Sequence, residues 1–140
     1  MKTHRERIDY WFEQLWAKRN RGVIDEMVDP DCKIHALPGA KHGPDGFKPF
    51  YDLLTAAFTK IDIRVADSVE NGDKIFFRCD ATLTGKDGKV HQITGGGMVR
   101  FKGERYIEGW NQWDFLSLMT SMGDLSPTAL LDSVGALAKS

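Results

Sequence analysis

His35 and Asn111 are the two side chains best suited to chemistry. His35 sits in the stretch CKIHAL, and an imidazole is the natural general base near neutral pH. Asn111 sits in GWNQWD, residues 109–114. Its amide cannot take a proton from a carbon acid, but it can orient a carbonyl or a water. One hairpin earlier lies a run of three glycines, Gly95-Gly96-Gly97. Side chains alternate across a strand, so an inward Asn111 brings Ile107, Gly109 and Trp113 to the same face. On the preceding strand Ile93, Gly95, Gly97, Val99 and Phe101 share one parity. Glycines beside an aromatic ring and one amide predict a small apolar pocket with a polar anchor. The plainer alternative is a sheet that uses glycine only to bend, with Trp113 as core. Phe50 and Tyr51 are expected in the pocket wall, with Tyr10 and Tyr51 as spare proton donors on helices. Glu108 and Trp110 have the opposite parity, where a second subunit could cover Trp110. Arg78 and Asp80 read as a solvated or dimer-facing pair. His42 reads as a structural loop residue, and His91, beside a turn, as exposed.

Other chemistries find no pattern. The four histidines are scattered, and no HxxxH, HxxE or carboxylate cluster appears, so no metal site is expected. The triple glycine lacks the Lys-Ser or Lys-Thr of a phosphate loop and lies inside a strand pattern. No serine-nucleophile elbow is present. The formal net charge is −1, and Lys and Arg are interspersed with acids, so neither nucleic acid nor an anionic membrane is an expected partner. No apolar run approaches the roughly 18 residues of a membrane helix, and the amphipathic N-terminus is unlike a signal peptide. Cys32 and Cys79 lie outside any CxxC pattern and read as buried thiols of a cytoplasmic protein.

The elements that must position these residues are well marked. With 140 residues, one domain is expected. Thr3 and Glu6 have capping-box spacing, and Ile8, Trp11, Phe12, Leu15 and Trp16 follow at helical spacing. A short helix covers 23–28, a strand 32–37, and Pro38-Gly39 closes it. A second helix starts near Asp45, the expected N-cap, with Pro49 in its first turn and Phe47, Phe50, Tyr51, Leu54, Ala57 and Phe58 on its apolar face. The period then changes to two. Strands are expected over 61–69 with a polar break at Asp67, 75–83, 93–101 and 106–113, separated by Asn71-Gly72, Asp87-Gly88 and Gly103. Asp114 should cap a short helix with Phe115, Leu118, Met119 and Met122 inward, ended by Gly123. Ser126-Pro127 opens a last amphipathic helix carrying Leu130, Leu131, Val134 and Leu137. Helices, consecutive antiparallel strands and short helices make an α+β fold, with helices packed on one face of a curved sheet.

The order HGPDGF, then DSVENGDKIFFRCDATLTG, then RFKGERYIEGWNQWDFLSLMTSMG resembles the SnoaL-like polyketide cyclase family of the NTF2-like superfamily. The resemblance runs from about Ile8 to Gly123 and places 1–123 in the domain and 124–140 in a C-terminal helical extension. It implies a cone-shaped barrel, an apolar pocket, a homodimer, and ring closure with neither metal nor organic cofactor. It also implies an acid/base aspartate three residues before the helix-opening acid, a position held here by Asn111. The family histidine on the preceding strand aligns with Gly97. Both departures argue against the cyclase mechanism. Three readings stand: a cofactor-free lyase, isomerase, cyclase or hydrolase with His35 as acid/base and Asn111 as orienting group; a binder of a small apolar molecule; and a dimeric interaction module using Trp110.

Overall fold

The computed structural model describes residues 2–35, 39 and 41–140. Helix α1 runs His4–Tyr10 and continues without a break as a wider π-helical segment, Trp11–Ala17. Thr3 and Glu6 form the expected capping box. The five apolar residues of this face are all buried, Leu15 completely. Helix α2 spans Val23–Met27, strand β1 Val28–Ile34 and helix α3 Pro44–Ala57. Strands β2 (Phe58–Asn71), β3 (Lys74–Gly85), β4 (Val90–Lys102) and β5 (Arg105–Trp113) follow, then α4 (Phe115–Ser121) and α5 (Ala129–Ala138). The fold is α+β, as expected.

The five strands form one sheet in the order β1-β5-β4-β3-β2. The hairpins are antiparallel, while β1 adds parallel to β5 at the edge. The polar break at Asp67 is a register shift between Val65 and Asp67 on an otherwise continuous β2. A second irregularity matters more. Arg100 faces Glu108 but Phe101 faces Tyr106, so Ile107 is the extra residue of a bulge. The bulge turns Tyr106 inward, where strict alternation had placed Ile107.

Several local expectations are corrected. Asp45 is an exposed first-turn acid rather than the cap of α3. The N-cap is Gly43, at φ 77, and its amide donates to the Cys32 carbonyl. A Cβ there would lie 2.2 Å from the Pro30 carbonyl oxygen, so only glycine lets the loop close against β1. Pro49 lies inside α3 rather than in its first turn, and Phe58 begins β2 rather than ending α3. Strand β1 starts four residues earlier than predicted; Leu37 and Pro38 lie outside the described residues. On α4 only Leu118 is buried, and Phe115, Met119 and Met122 are exposed. No residue of α5 is buried.

The core lies between the inner sheet face and α1, α2 and α3. His91 belongs to it. It is buried rather than exposed, shares its inward parity with Ile93, and places Nδ1 2.6 Å from the Ser121 hydroxyl of α4. Among the described residues no helix is long and apolar enough to cross a membrane.

Candidate functional site

The inner face of the sheet and the helices enclose a cavity of about 120 Å³. Ile8, Trp11, Phe12 and Trp16 of the first helix form one side, and Phe47, Phe50 and Leu54 of α3 another. The sheet contributes Phe77, Val99, Tyr106, Gly109, Asn111 and Trp113, and Phe115 and Leu118 of α4 complete the boundary. A cavity of roughly 150 Å³ holds benzene, so this one is sized for a single ring.

Asn111, Trp113, Phe50 and Val99 all border this cavity. Cross-strand register explains the grouping: Cys79, Gly95 and Trp113 form one inward row, Phe77, Gly97 and Asn111 the next, and Ile75, Val99 and Gly109 the third. The glycines act differently from the expectation. A Cβ on Gly95 would lie 2.2 Å from Cε3 of Trp113, so the space above Gly95 is occupied by the Trp113 ring. A Cβ on Gly97 would meet the Trp110 carbonyl oxygen at 2.1 Å and Asn111 Oδ1 at 3.0 Å. Neither Gly95 nor Gly97 borders the cavity; only Gly109 opens onto it. The triple glycine lets Trp113 and Asn111 lie flat against the sheet, and these two side chains then shape the cavity.

The other predicted residues stand elsewhere. His35 follows β1 on the outer face. Its amide donates to the Gly109 carbonyl, its ring stacks on Trp110 at 4.7 Å, and Nε2 lies 2.7 Å from a Glu108 carboxylate oxygen. Arg100 holds the other Glu108 oxygen at 3.0 Å. The hydrogen bond from His35, followed by that from Arg100, lowers the Glu108 carboxyl below its usual range. His35 thus belongs to an outer network and cannot serve the cavity as acid or base. Alternation in CKIH carried this signal, because Cys32 and Ile34 border the cavity and Lys33 and His35 must point away. Tyr51 is buried but outside the cavity, and its hydroxyl donates to the Leu15 carbonyl at 3.1 Å. Tyr10 donates to the Glu26 carboxylate at 3.2 Å, away from the cavity. Both tyrosines tie helices together.

The chemistry available inside is narrow. Among the described residues, no His, Asp, Glu, Lys or Arg lines the cavity. Its titratable groups are Cys32 and Tyr106. Burial, aided by Asp29, pushes the Cys32 thiol up to about 11, and burial raises the Tyr106 phenol well above its ordinary value. Both are neutral at pH 7. Sequence reasoning missed these two, reading Cys32 as a plain buried thiol and Tyr106 as the start of a strand. Among the described residues no group of three or more His, Cys, Asp or Glu is placed to hold a metal ion.

On the outer face Phe76, Met98 and Trp110 stand in one cross-strand row, with Arg78, Gly96 and Gln112 in the next. They line an open groove across three strands.

A model of the SnoaL-like domain matches residues 8–110. No curated protein matches the chain. Solved structures give the fold independently. IdmH, a candidate polyketide cyclase from Streptomyces antibioticus, is 21% identical, with a TM-score of 0.75 over 85% of this chain and 97% of that one. A candidate polyketide cyclase from Acidithiobacillus ferrooxidans is 21% identical, with a TM-score of 0.75 over 89% and 99%. AclR, a candidate hydroxylase from Streptomyces galilaeus, is 18% identical, with a TM-score of 0.75 over 98% and 94%. The differing descriptions fit a fold that hosts several activities. With most of the chain matched by the family model and the same sheet and helices in its structural neighbours, the chain belongs to the SnoaL-like family.

Proposed function

We propose that this chain binds a small, ring-sized apolar molecule bearing a carbonyl oxygen, held in the cavity with the Asn111 amide as its anchor. The observation that carries this reading is the lining itself. It is aromatic and aliphatic, its amide comes from Asn111, and no described group in it can accept a proton at neutral pH. Such a site can bind and orient, but it lacks the base that general acid–base catalysis needs. The test is thermal shift with single-ring ketones. At about 100 times its dissociation constant a ligand should add roughly 2.7 kcal/mol, or roughly 8 °C in a protein of this size. Asn111→Leu should weaken ketone binding about tenfold, the worth of one hydrogen bond to a ligand oxygen. No shift with any ketone would refute the reading.

A second reading, a cofactor-free cyclase or isomerase, draws support from the polyketide-cyclase neighbours. It would have to work by orienting a substrate carbonyl through Asn111 rather than by proton transfer from His35.

The outer groove fits a second copy of this chain. Phe76 is half exposed and aligned with Met98 and Trp110 across three strands, which makes a flat apolar patch that pairs with itself about a twofold axis. Trp110→Asp should then sediment as a monomer while the wild type sediments as a dimer. A monomeric wild type, or a dimer unaffected by the change, would refute this interface.

A further inference from the structure

Glycine inside a strand costs stability relative to alanine, so it stands there for a reason: a bend, a left-handed φ, or something that approaches the backbone closely. The fold supplies such a reason for the other described glycines of the sheet and its loops, either a positive φ or an atom that an added Cβ would crowd. Gly109 and Gly135 have neither, and Gly135 lies on α5, away from the cavity. Gly109 sits in the interior of β5, paired with Val99 of β4 on one side and Ile34 of β1 on the other, and all three residues border the cavity. Beyond its chain neighbours, a Cβ on Gly109 would have one atom within 4 Å, Nδ2 of Asn111 at 4.0 Å. The protein therefore leaves a notch in the cavity floor between the Ile34 and Val99 side chains. Asn111 Oδ1 is the atom that lies 3.0 Å from an added Cβ on Gly97, so the amide turns its oxygen towards Gly97 and its NH2 towards Gly109. A hydrogen-bond donor thus stands beside the notch.

We propose that Gly109 is the specificity-determining position of the cavity: the ligand ring packs directly on its backbone, between Ile34 and Val99, with the ring carbonyl accepting from Asn111 Nδ2. This rests on the reading of the cavity as a site for a carbonyl-bearing ring, and adds where the ring lies and what limits its size. Any side chain at 109 would raise the floor under the ring while leaving the Asn111 donor in place. The ligand class that needs a bare floor is a cyclic ketone of about six ring members; a smaller ring fits above a methyl group. The same placement accounts for a strand glycine that neither the backbone conformation nor the packing of the protein requires.

The test compares Gly109→Ala with the wild type in two ways. Without ligand, the added methyl group meets open space, and the strand gains from losing a glycine, so the melting temperature should rise by about 3 °C. With ligand, the probes are cyclohexanone and cyclobutanone, titrated into both proteins. The ratio of cyclohexanone to cyclobutanone affinity should fall about tenfold in Gly109→Ala, the scale on which a tight apolar pocket discriminates one methylene. Gly135→Ala removes a glycine outside the cavity and is the control, with the ratio expected to stay at the wild-type value. A lowered melting temperature for Gly109→Ala would mean that the space above Gly109 is already filled, and would overturn the assignment. An unchanged ratio in Gly109→Ala, with both probes bound, would overturn the assignment and leave the cavity reading intact. Failure of both probes to bind wild-type protein would overturn both.

Discussion

Gly95→Val is expected to destabilise the protein by about 3 kcal/mol, roughly 10 °C in melting temperature. The cause is local. A Cβ at this position would lie 2.2 Å from Cε3 and 2.5 Å from Cδ2 of Trp113, and 2.8 Å from the Gln112 carbonyl oxygen. The ring can yield only towards the cavity, because the neighbouring row of Phe77, Gly97 and Asn111 closes one side. Trp113 must leave its place on the sheet, and the cavity wall goes with it. Adding Trp113→Ala to Gly95→Val should recover part of the lost stability, since the second change removes the clash created by the first. Recovery should stay incomplete because the Gln112 carbonyl remains. Denaturant melts of the four proteins in this cycle measure the coupling. Additive effects would mean that Trp113 does not lie over Gly95.

Asn111→Asp is expected to cost about 2 kcal/mol at pH 7 and almost nothing near pH 4. The introduced carboxyl would face the apolar lining, where its charged form is poorly solvated. Its folded pKa is therefore raised above the unfolded value of about 3.9. Below that unfolded value both states carry the proton, and the neutral acid resembles the amide it replaces. As pH climbs from there towards the folded value, the unfolded chain releases its proton first and stability falls. Above the folded value the penalty stays constant. Melting temperatures of variant and wild type across pH 4–8 read this directly. A difference independent of pH would place position 111 in contact with water rather than with the cavity. The same variant restores the carboxylate that the family resemblance expects, in a site where its raised pKa suits proton transfer near neutral pH. Gained exchange of α-protons in a bound ketone would support the position and explain what asparagine removes.

Side-chain period locates elements better than it locates burial: Met119, Met122, Leu130 and Val134 fall at helical spacing in or beside α4 and α5 and are nonetheless exposed. The four long strands, their turns and the amphipathic first helix are all governed by local alternation, and each was found within a few residues. The failures share another cause. Tyr106 was missed because a bulge at Ile107 shifts parity by one residue, and a bulge depends on how two strands pair. His91 was misjudged because α4 covers it, and the docking of α4 leaves no local trace. Gly95 and Gly97 were read as empty space because glycine looks the same in a sequence whether a ligand or a tryptophan approaches it. His35 is a different failure. The parity of Cys32 and Ile34 in CKIH already turns the imidazole away from the cavity. That no described residue of the cavity accepts a proton at neutral pH could be half seen in Asn111; the other half needed the three-dimensional placement of His35.

The most direct test of the account is to follow the Asn111 side-chain amide and the Trp113 indole N–H by NMR while cyclohexanone is titrated into the protein. Binding in the cavity predicts saturable shifts of both signals, with little change at the Trp110 indole on the outer face. Shifts centred on Trp110 with Asn111 and Trp113 unmoved would contradict it, and the functional surface would then be the outer face of the sheet.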